Sequence, residues 1–527
     1  MKIVTIEQMR TIETRSERAG VSTEALMDNA GLAVAERVRH HVGALDGVPI
    51  VVLAGPGNNG GDGLVAAAHL RDWGAQVTVF MCLERSQPNP KLEVLEANIG
   101  DTVLVWRGDG FRTLENALPE ARLILDAILG TGRARPIEGT IKRVLDLLHV
   151  TTAMPSGPTL MALDTPTGLD ADSGAVDPSA VPADVTVSLG YAKRGHYAHP
   201  GADHAGRLEV VDIGIPPDLD EDVDLTLLTS DWSRVALPRR PSDSHKGTFG
   251  KTMIVAGSRN YVGAAYLAAT AATRVGAGLV TVAMPESLVG AVASKAVEPT
   301  YLPLPESSPG VVSPEAAGLV LRNLSGYSAL LVGCGLGQAQ PTHDLVEQLL
   351  LAGADLPSTV VDADGLNALS RVTDWHRRLT SDAILTPHPG EMNRLTGDRT
   401  PDDRVRTATL FASGWHSVVV LKGAHTVIAH PDGDAVLSPF ANPGLATAGT
   451  GDVLAGAIAG LLSQSLSRGD AAKLGVYIHG LAGERVRDDM GDTGMIASDL
   501  LPVLPKVIRD LRMGFVASDE GLGPPSQ

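Results

Sequence analysis

The sequence predicts two α/β domains in series, and three observations predict it. Ile50–Ala54, a glycine-rich stretch, Leu64–Trp73 and Val77–Phe80 read as strand, loop, helix and strand, the unit of a doubly wound parallel sheet. Apolar runs in both halves end in carboxylates or glycine turns, at Leu123–Asp126, Leu160–Asp164, Ala329–Gly333 and Thr359–Asp362. At 527 residues the chain is too long for one core.

Composition sets limits. Apolar residues make up 44% but aromatics only 3%, so the cores must be built from Ala, Val, Leu and Ile. A formal charge of −18 with no block of Lys and Arg excludes general nucleic-acid binding, which needs a basic surface. Cys82 and Cys334 lie far apart, form neither a metal pattern nor a disulfide framework, and fit a reducing compartment. Met1–Arg10 lacks the apolar core of a signal peptide. The most apolar stretches, 261–283 and 445–462, are broken by Arg274 and Asp452, so no membrane span is expected. The expectation is a cytoplasmic homo-oligomer with small-molecule partners and neither a nucleic-acid nor a membrane partner.

In chain order, Met9, Ile12, Leu26, Ala30, Val34 and Val38 recur at helical spacing and predict helix across Ile6–Arg39. After the first strand, Gly55–Gly63 reads as a loop. Gly55, Gly57 and Gly60 match G-x-G-x-x-G, a weak signal in a chain with 58 glycines. Its core, Asn58-Asn59-Gly60-Gly61-Asp62-Gly63, is more distinctive. The amide and carboxylate oxygens suit an alkali or alkaline-earth cation or ribose hydroxyls, and also a capped polar turn. The next two strands aim Asp126 and Asp164 at the same sheet edge. Between them, Gly130-Thr131-Gly132-Arg133-Ala134-Arg135-Pro136 makes a second glycine loop whose arginines suit a phosphate. The sheet continues through Val185–Leu189 and Leu208–Val211. His196, His199 and His204 are expected as solvated loop histidines, since no fourth ligand is spaced to complete a metal site.

The Asn58–Gly63 stretch, Asp126-Ala-Ile-Leu-Gly-Thr-Gly and Asp164-Thr-Pro-Thr-Gly-Leu-Asp together resemble NAD(P)H-hydrate epimerase over Met1–Pro217. The resemblance implies a Rossmann-like domain over 1–217. It implies that Asn58, Asn59, Gly60, Gly61 and Asp62 hold a hydrated nicotinamide nucleotide, together with Gly130, Thr131, Gly132, Arg133, Ala134, Arg135, Pro136 and Asp164. It implies a potassium ion on Asn59, Asp126 and Thr167, the last standing where the family usually has Ser. Asp126 and Asp164 are the candidate acid–base groups. Residues 218–241, acidic and flanked by prolines, are expected to link to a second domain over 242–515. The polar, Pro- and Gly-rich 516–527 is expected to be a disordered tail.

In the second half, small residues and glycines from Ala446 lead into Asp452 and an apolar helix over Val453–Leu462. Gly449 and Gly451 let N–H groups converge on an anion, and the helix start adds its positive dipole end. Beside a phosphate there, Asp452 can take a proton from an attacking hydroxyl. The same stretch also fits a glycine turn with Asp452 as helix cap. Upstream, the strand Val418–Leu421 leads into Lys422-Gly423. A Lys-Gly loop followed by Gly-x-Gly-Asp resembles the ribokinase-like α/β fold.

With Gly333-Cys334-Gly335-Leu336-Gly337, His388-Pro389-Gly390-Glu391 and Asn442-Pro443-Gly444, the stretch Asp231–Arg512 resembles ADP-dependent NAD(P)H-hydrate dehydratase. The resemblance implies that the nucleotide, with magnesium, is held by Lys422, Gly423, Ala424, His425, Thr426, Asn442, Pro443, Gly444, Leu445, Ala446, Thr447, Ala448, Gly449, Thr450 and Gly451. It implies hydrate contacts from Ala264, Gly337, His388, Pro389, Gly390, Glu391, Met392, Asn393, Arg394 and Asp452. Glu391 also fits a plain helix cap. Cys334 stands where the family often has Pro and is given no redox role.

The implied function is bifunctional. The first half exchanges the R and S epimers of hydrated NADH and NADPH. The second returns the S form to NAD(P)H at the expense of ADP, giving AMP and phosphate, with Asp452 as base. ADP over ATP rests on the resemblance alone. The alternative is a small-alcohol kinase carrying a non-catalytic, ligand-binding first domain.

Overall fold

The computed structural model describes residues 1–82, 104–105, 110–131, 136–379, 383–398, 400–401 and 403–515. Gly132, Arg133, Ala134 and Arg135 of the expected substrate loop, and the expected tail 516–527, lie outside the described residues. The chain divides into two compact units, Met1–Val223 and a second that starts at Asp224.

Among the described residues, the main sheet of the first unit has seven strands, all paired in parallel. Their order is Leu104–Val105, Gln76–Met81, Pro49–Ala54, Leu123–Ala127, Thr159–Leu163, Val185–Leu189 and Arg207–Val211. Helices cover both faces, which is why Ile50–Ala54 and Leu123–Ala127 are buried along their whole length. The helical start of the chain is two helices, Ile6–Arg18 and Thr23–Val42, not one. Gly20 takes a left-handed φ of 97°, and Ser22 caps the second helix by accepting the Ala25 N–H at 3.1 Å.

The stretch expected as a loop through Gly63 is already helical from Asn58, in a helix that runs to Asp72. Its glycines serve close approach rather than looseness. A Cβ on Gly60 would sit 2.0 Å from the Gly55 carbonyl oxygen, and one on Gly63 would sit 2.5 Å from the Ala127 Cβ. The first helical turn is thereby pressed onto the carboxyl ends of the central strands.

The expected linker 218–241 is divided between the units. Arg15 pairs with Asp222 at 2.7 Å and Val223 is buried in the first core. Leu225–Leu227 is an edge strand of the second sheet, parallel to Ala435–Leu437, and Ser230–Ala236 is a helix. The acidic and proline-rich composition hid this short apolar pattern.

The second unit holds a ten-stranded sheet. Seven strands run parallel in the order Val418–Leu421, Ala383–Leu385, Ser358–Val361, Ala329–Val332, Lys251–Val255, Leu279–Pro285 and Thr300–Leu304. Val427–Ala429 and Ala435–Leu437 extend it as antiparallel neighbours. The apolar helix expected from Val453 spans Thr450–Leu462 and lies against the Ala-rich helix Val262–Arg274. Contact is at backbone range: a Cβ on Gly456 would sit 2.2 Å from the Ala268 carbonyl oxygen. Both halves are thus α/β, as expected.

Gly456→Val should destabilise the second unit by about 1–3 kcal/mol through overpacking. Gly414→Ala, exposed on the helix Arg404–Trp415 with nothing within 4 Å of the added methyl, should gain up to about 1 kcal/mol. Thermal melts of the two variants check both signs.

Candidate functional sites

In the first unit, a cavity of about 800 Å³ opens beyond the carboxyl ends of the strands. Helical residues such as Met9, Leu26 and Met27 line it, together with strand-end loops. Asn58, Asn59, Asp62 and Asp164 reach it, and so do Gly130, Thr131 and Pro136. Gly60 and Gly61 are buried in the helix turn, where a Cβ on Gly61 would meet the Met27 Cε at 2.9 Å.

Asp126, next to last in its strand, is buried. It accepts from Thr167 Oγ1 at 2.7 Å, the Thr167 N–H at 2.9 Å and the Ile128 N–H at 3.2 Å. Burial raises its carboxyl despite these bonds. Asn59 comes close by, since a Cβ on Gly130 would sit 3.0 Å from its Oδ1. Its Nδ2 is buried with no hydrogen-bond partner among the described residues. The three residues expected to hold potassium are all buried, with Asp126 and Thr167 in direct contact.

Asp164 follows its strand with a φ of 63°, a left-handed conformation that Asp tolerates. Its Oδ1 takes the Leu189 N–H at 3.0 Å and the Lys193 ammonium. Lys193 is fully buried and also donates to Ser188 Oγ at 3.0 Å and the Leu189 carbonyl at 3.1 Å. Sequence reasoning missed this lysine, because a single Lys after a short strand carries no pattern. It also misplaced His196, which is buried rather than solvated. Its Nδ1 accepts the Lys193 N–H at 3.3 Å, and burial, then Lys193, push its pKa down to about 3. His199 is exposed, as expected of a loop histidine.

In the second unit, four neighbouring parallel strands end in Gly333, Asp362, Thr386 and Lys422. Asp362 is 1% exposed and accepts from Lys422 Nζ at 2.8 Å and Thr386 Oγ1 at 2.7 Å. Lys422 also lies 3.7 Å from Glu391. Burial alone would lower its ammonium, but Asp362 and Glu391 outweigh that and hold it above its usual value. Asp362 ended a predicted strand but was not singled out; a carboxylate there looks like any strand terminus.

Asp452 sits in the first turn of its helix, behind Gly449 at a φ of 93°. No side chain caps this helix start. Ligand atoms of Asp452, Asp362 and Cys334 all lie within 4.8 Å of one another. Burial, then the neighbouring Asp362, push the Asp452 carboxyl up to about 7. The Cys334 thiol is buried and raised well above its ordinary range, so it stays protonated. The turn is braced by His479, buried, with its pKa pushed down to about 4 by burial and its Nε2 3.0 Å from the Thr450 carbonyl.

Around this centre the two expected binding stretches converge. A Cβ on Gly451 would lie 3.6 Å from Lys422 Nζ. Arg404, which sequence reasoning did not single out, pins the Lys422–Thr426 turn by donating to the carbonyls of Ala424 at 2.6 Å and Lys422 at 3.2 Å. Thr426 bonds within that segment, to Gly423 O at 2.9 Å, and His425 Nδ1 lies 3.1 Å from Ser438 O beyond it. Asn442–Gly451 folds on itself: Asn442 accepts the Gly444 N–H at 2.9 Å, and Thr450 Oγ1 donates to Leu445 O at 2.7 Å.

Glu391 does form the capping box its position allowed, accepting the His388 N–H at 2.8 Å, while its other neighbour is Lys422. Arg394, Asn367, Asp364 and the Gly337 N–H form one bonded chain, with links of 2.8, 3.2 and 2.8 Å. It ties the His388–Arg394 segment to the Gly333–Gly337 loop, against which Ala264 packs. Met392 is 1% exposed and faces the core.

Comparison with known proteins follows the same division. The family model described as YjeF-related protein N-terminus matches residues 23–195, and that described as NAD(P)H-hydrate dehydratase matches residues 252–506. The bifunctional NAD(P)H-hydrate repair enzyme Nnr of Moorella thermoacetica is 41% identical over 528 residues, covering 97% of each chain. That of Salinibacter ruber is 38% identical, covering 93% of each. Among solved structures, the ADP/ATP-dependent NAD(P)H-hydrate dehydratase from Bacillus subtilis, co-crystallized with ATP/Mg2+, is 32% identical; it aligns with 54% of this chain and 98% of its own, at a TM-score of 0.47. Identity at this level along nearly all of both chains assigns the protein: it belongs to the family of bifunctional NAD(P)H-hydrate repair enzymes.

Proposed function

We propose that the second unit dehydrates the S form of hydrated NADH and NADPH by phosphorylating it from ADP, and that the first unit exchanges the R and S epimers. The observation that carries the reading is Asp452: a carboxylate with a pKa near 7, in the first turn of an uncapped helix, at the meeting point of both expected binding stretches. A base poised near neutrality suits proton removal at physiological pH.

Hydroxide is a poor leaving group and phosphate a good one. Asp452 takes the proton of the substrate hydroxyl as its oxygen attacks the terminal phosphorus of ADP, and AMP departs. The ring nitrogen's electron pair then expels phosphate, and loss of a proton from the adjacent carbon restores the reduced ring. Helix-start amides over Gly449–Gly451, with Lys422, face the charge developing on the phosphoryl oxygens. Magnesium suits a carboxylate such as Asp362, whose Oδ2 accepts the weak Cys334 thiol at 3.7 Å; there it would neutralise phosphate charge. Potassium suits the oxygens of Asn59, Asp126 and Thr167 and would orient the substrate. A small-alcohol kinase would use the same base but leave a stable phosphate ester. Two buried free cysteines agree with a reducing, cytoplasmic setting.

Asp452→Asn should lower dehydration by about 100- to 10,000-fold while the hydrate still binds. Recovery of reduced-nicotinamide absorbance and calorimetric titration read the two quantities. In the wild type, kcat/KM for dehydration should fall as pH drops through about 7, because the base becomes protonated.

The same carboxyl binds its proton more tightly folded than unfolded, so its stabilising effect is present at low pH and lost as pH rises through about 7. Asp452→Asn should therefore raise the melting temperature at pH 8 and do so much less at pH 4.

Epimer exchange followed by NMR should slow when potassium is replaced by a tetraalkylammonium ion, and Thr167→Val should reproduce the loss.

A further inference from the structure

Epimerisation at one carbon has a symmetric demand: the hydroxyl leaves one face and returns to the other, so a proton must be handled on both. Asp126 and Asp164 do not meet this demand together. The oxygens of Asp126 are occupied by Thr167 and Ile128, and it is absent from the cavity lining. Asp164 does reach the cavity, from the strand-end wall, held by Lys193 and the Leu189 N–H.

Three other carboxyls line the same cavity: Asp62 in the Asn58–Asp72 helix, Asp177, whose oxygens accept the Ile137 and Ser179 N–H groups, and Glu13. Glu13 projects from the helix Ile6–Arg18, whose Ile6, Met9 and Arg10 also line it. It makes no hydrogen bond or ion pair among the described residues. By area it is exposed, yet protein surrounds it closely enough that burial, then Asp164, raise its carboxyl, with Lys193 and Arg10 pulling the other way.

We propose that Glu13 is a catalytic residue of the epimerase, moving a proton on the helical side of the hydrated carbon while Asp164 serves the strand-end side. The proposal rests on the epimerase reading of the first unit. Protonated Glu13 gives its proton to the hydroxyl; the C–O bond breaks, its pair leaves with water, and the ring nitrogen's lone pair forms a cyclic iminium. Asp164, paired with Lys193, faces that cation. Water adds to the opposite face and sheds its extra proton to Asp164. The reverse reaction exchanges the two roles, and solvent resets both groups between turnovers.

The test uses the full-length protein with hydrated NADH. Epimer exchange is followed by NMR without ADP, hydrate binding by calorimetry, and ADP-dependent loss of the S epimer as a check on the fold. Glu13→Gln should slow exchange about 100-fold or more in both directions equally, with hydrate affinity and dehydration unchanged. Glu13→Asp should keep part of the rate. Exchange by Glu13→Gln within a few fold of wild type overturns the proposal, as does a loss of exchange explained by lost hydrate binding. Absence of exchange in the wild type overturns the epimerase reading itself, and the proposal with it.

Discussion

The second unit depends on one buried ion pair. Asp362 is buried at the end of a central strand, and Lys422 reaches it from the second strand along. Breaking such a pair leaves a charge without its partner, at a cost of about 3–5 kcal/mol. The pair fixes the lysine against Gly451 and places a second negative charge near Asp452. That neighbour, added to burial, lifts Asp452 from an ordinary carboxylate to a group that exchanges its proton near neutral pH. Stability and chemistry are therefore set by the same three side chains.

The first unit uses the same physics with different parts. Glycines that admit no Cβ press the Asn58–Asp72 helix onto the strand ends, and the Thr167 hydroxyl meets the Asp126 carboxyl there. One strand over, Lys193 pairs with Asp164 at the cavity edge. Across the two units, Asp126, Asp164, Asp362 and Lys422 lie at the carboxyl ends of parallel strands, where the sheet gathers loops at one edge.

Much of this was legible in the sequence because parallel strands are continuous apolar runs, and a carboxylate or glycine at their ends stands out. Asp126 and Asp164 were found that way, and Asp452 by the glycines that lead into its apolar helix. Asn58–Gly63 was taken for a loop because glycines ordinarily break helices; here they enable contact, which only the packed neighbour reveals. Residues 218–241 showed their acids and prolines and concealed a three-residue edge strand. Asp362, Lys193, Arg404 and Glu13 were not singled out, because each gains its meaning from partners distant in sequence, such as Lys422 sixty positions from Asp362. The histidine cluster misled in the opposite way, since proximity along the chain said nothing of His196's burial.

The central claim is that a phosphoryl group is delivered to the substrate hydroxyl at the start of the Thr450–Leu462 helix. A crystal structure of the protein with ADP, magnesium and the hydrate tests it most directly. The account predicts the terminal phosphate against the backbone amides of Gly449–Gly451, with the hydroxyl of the hydrated carbon between that phosphate and the Asp452 carboxylate. A terminal phosphate bound away from that helix start, with Asp452 touching neither ligand, would contradict it.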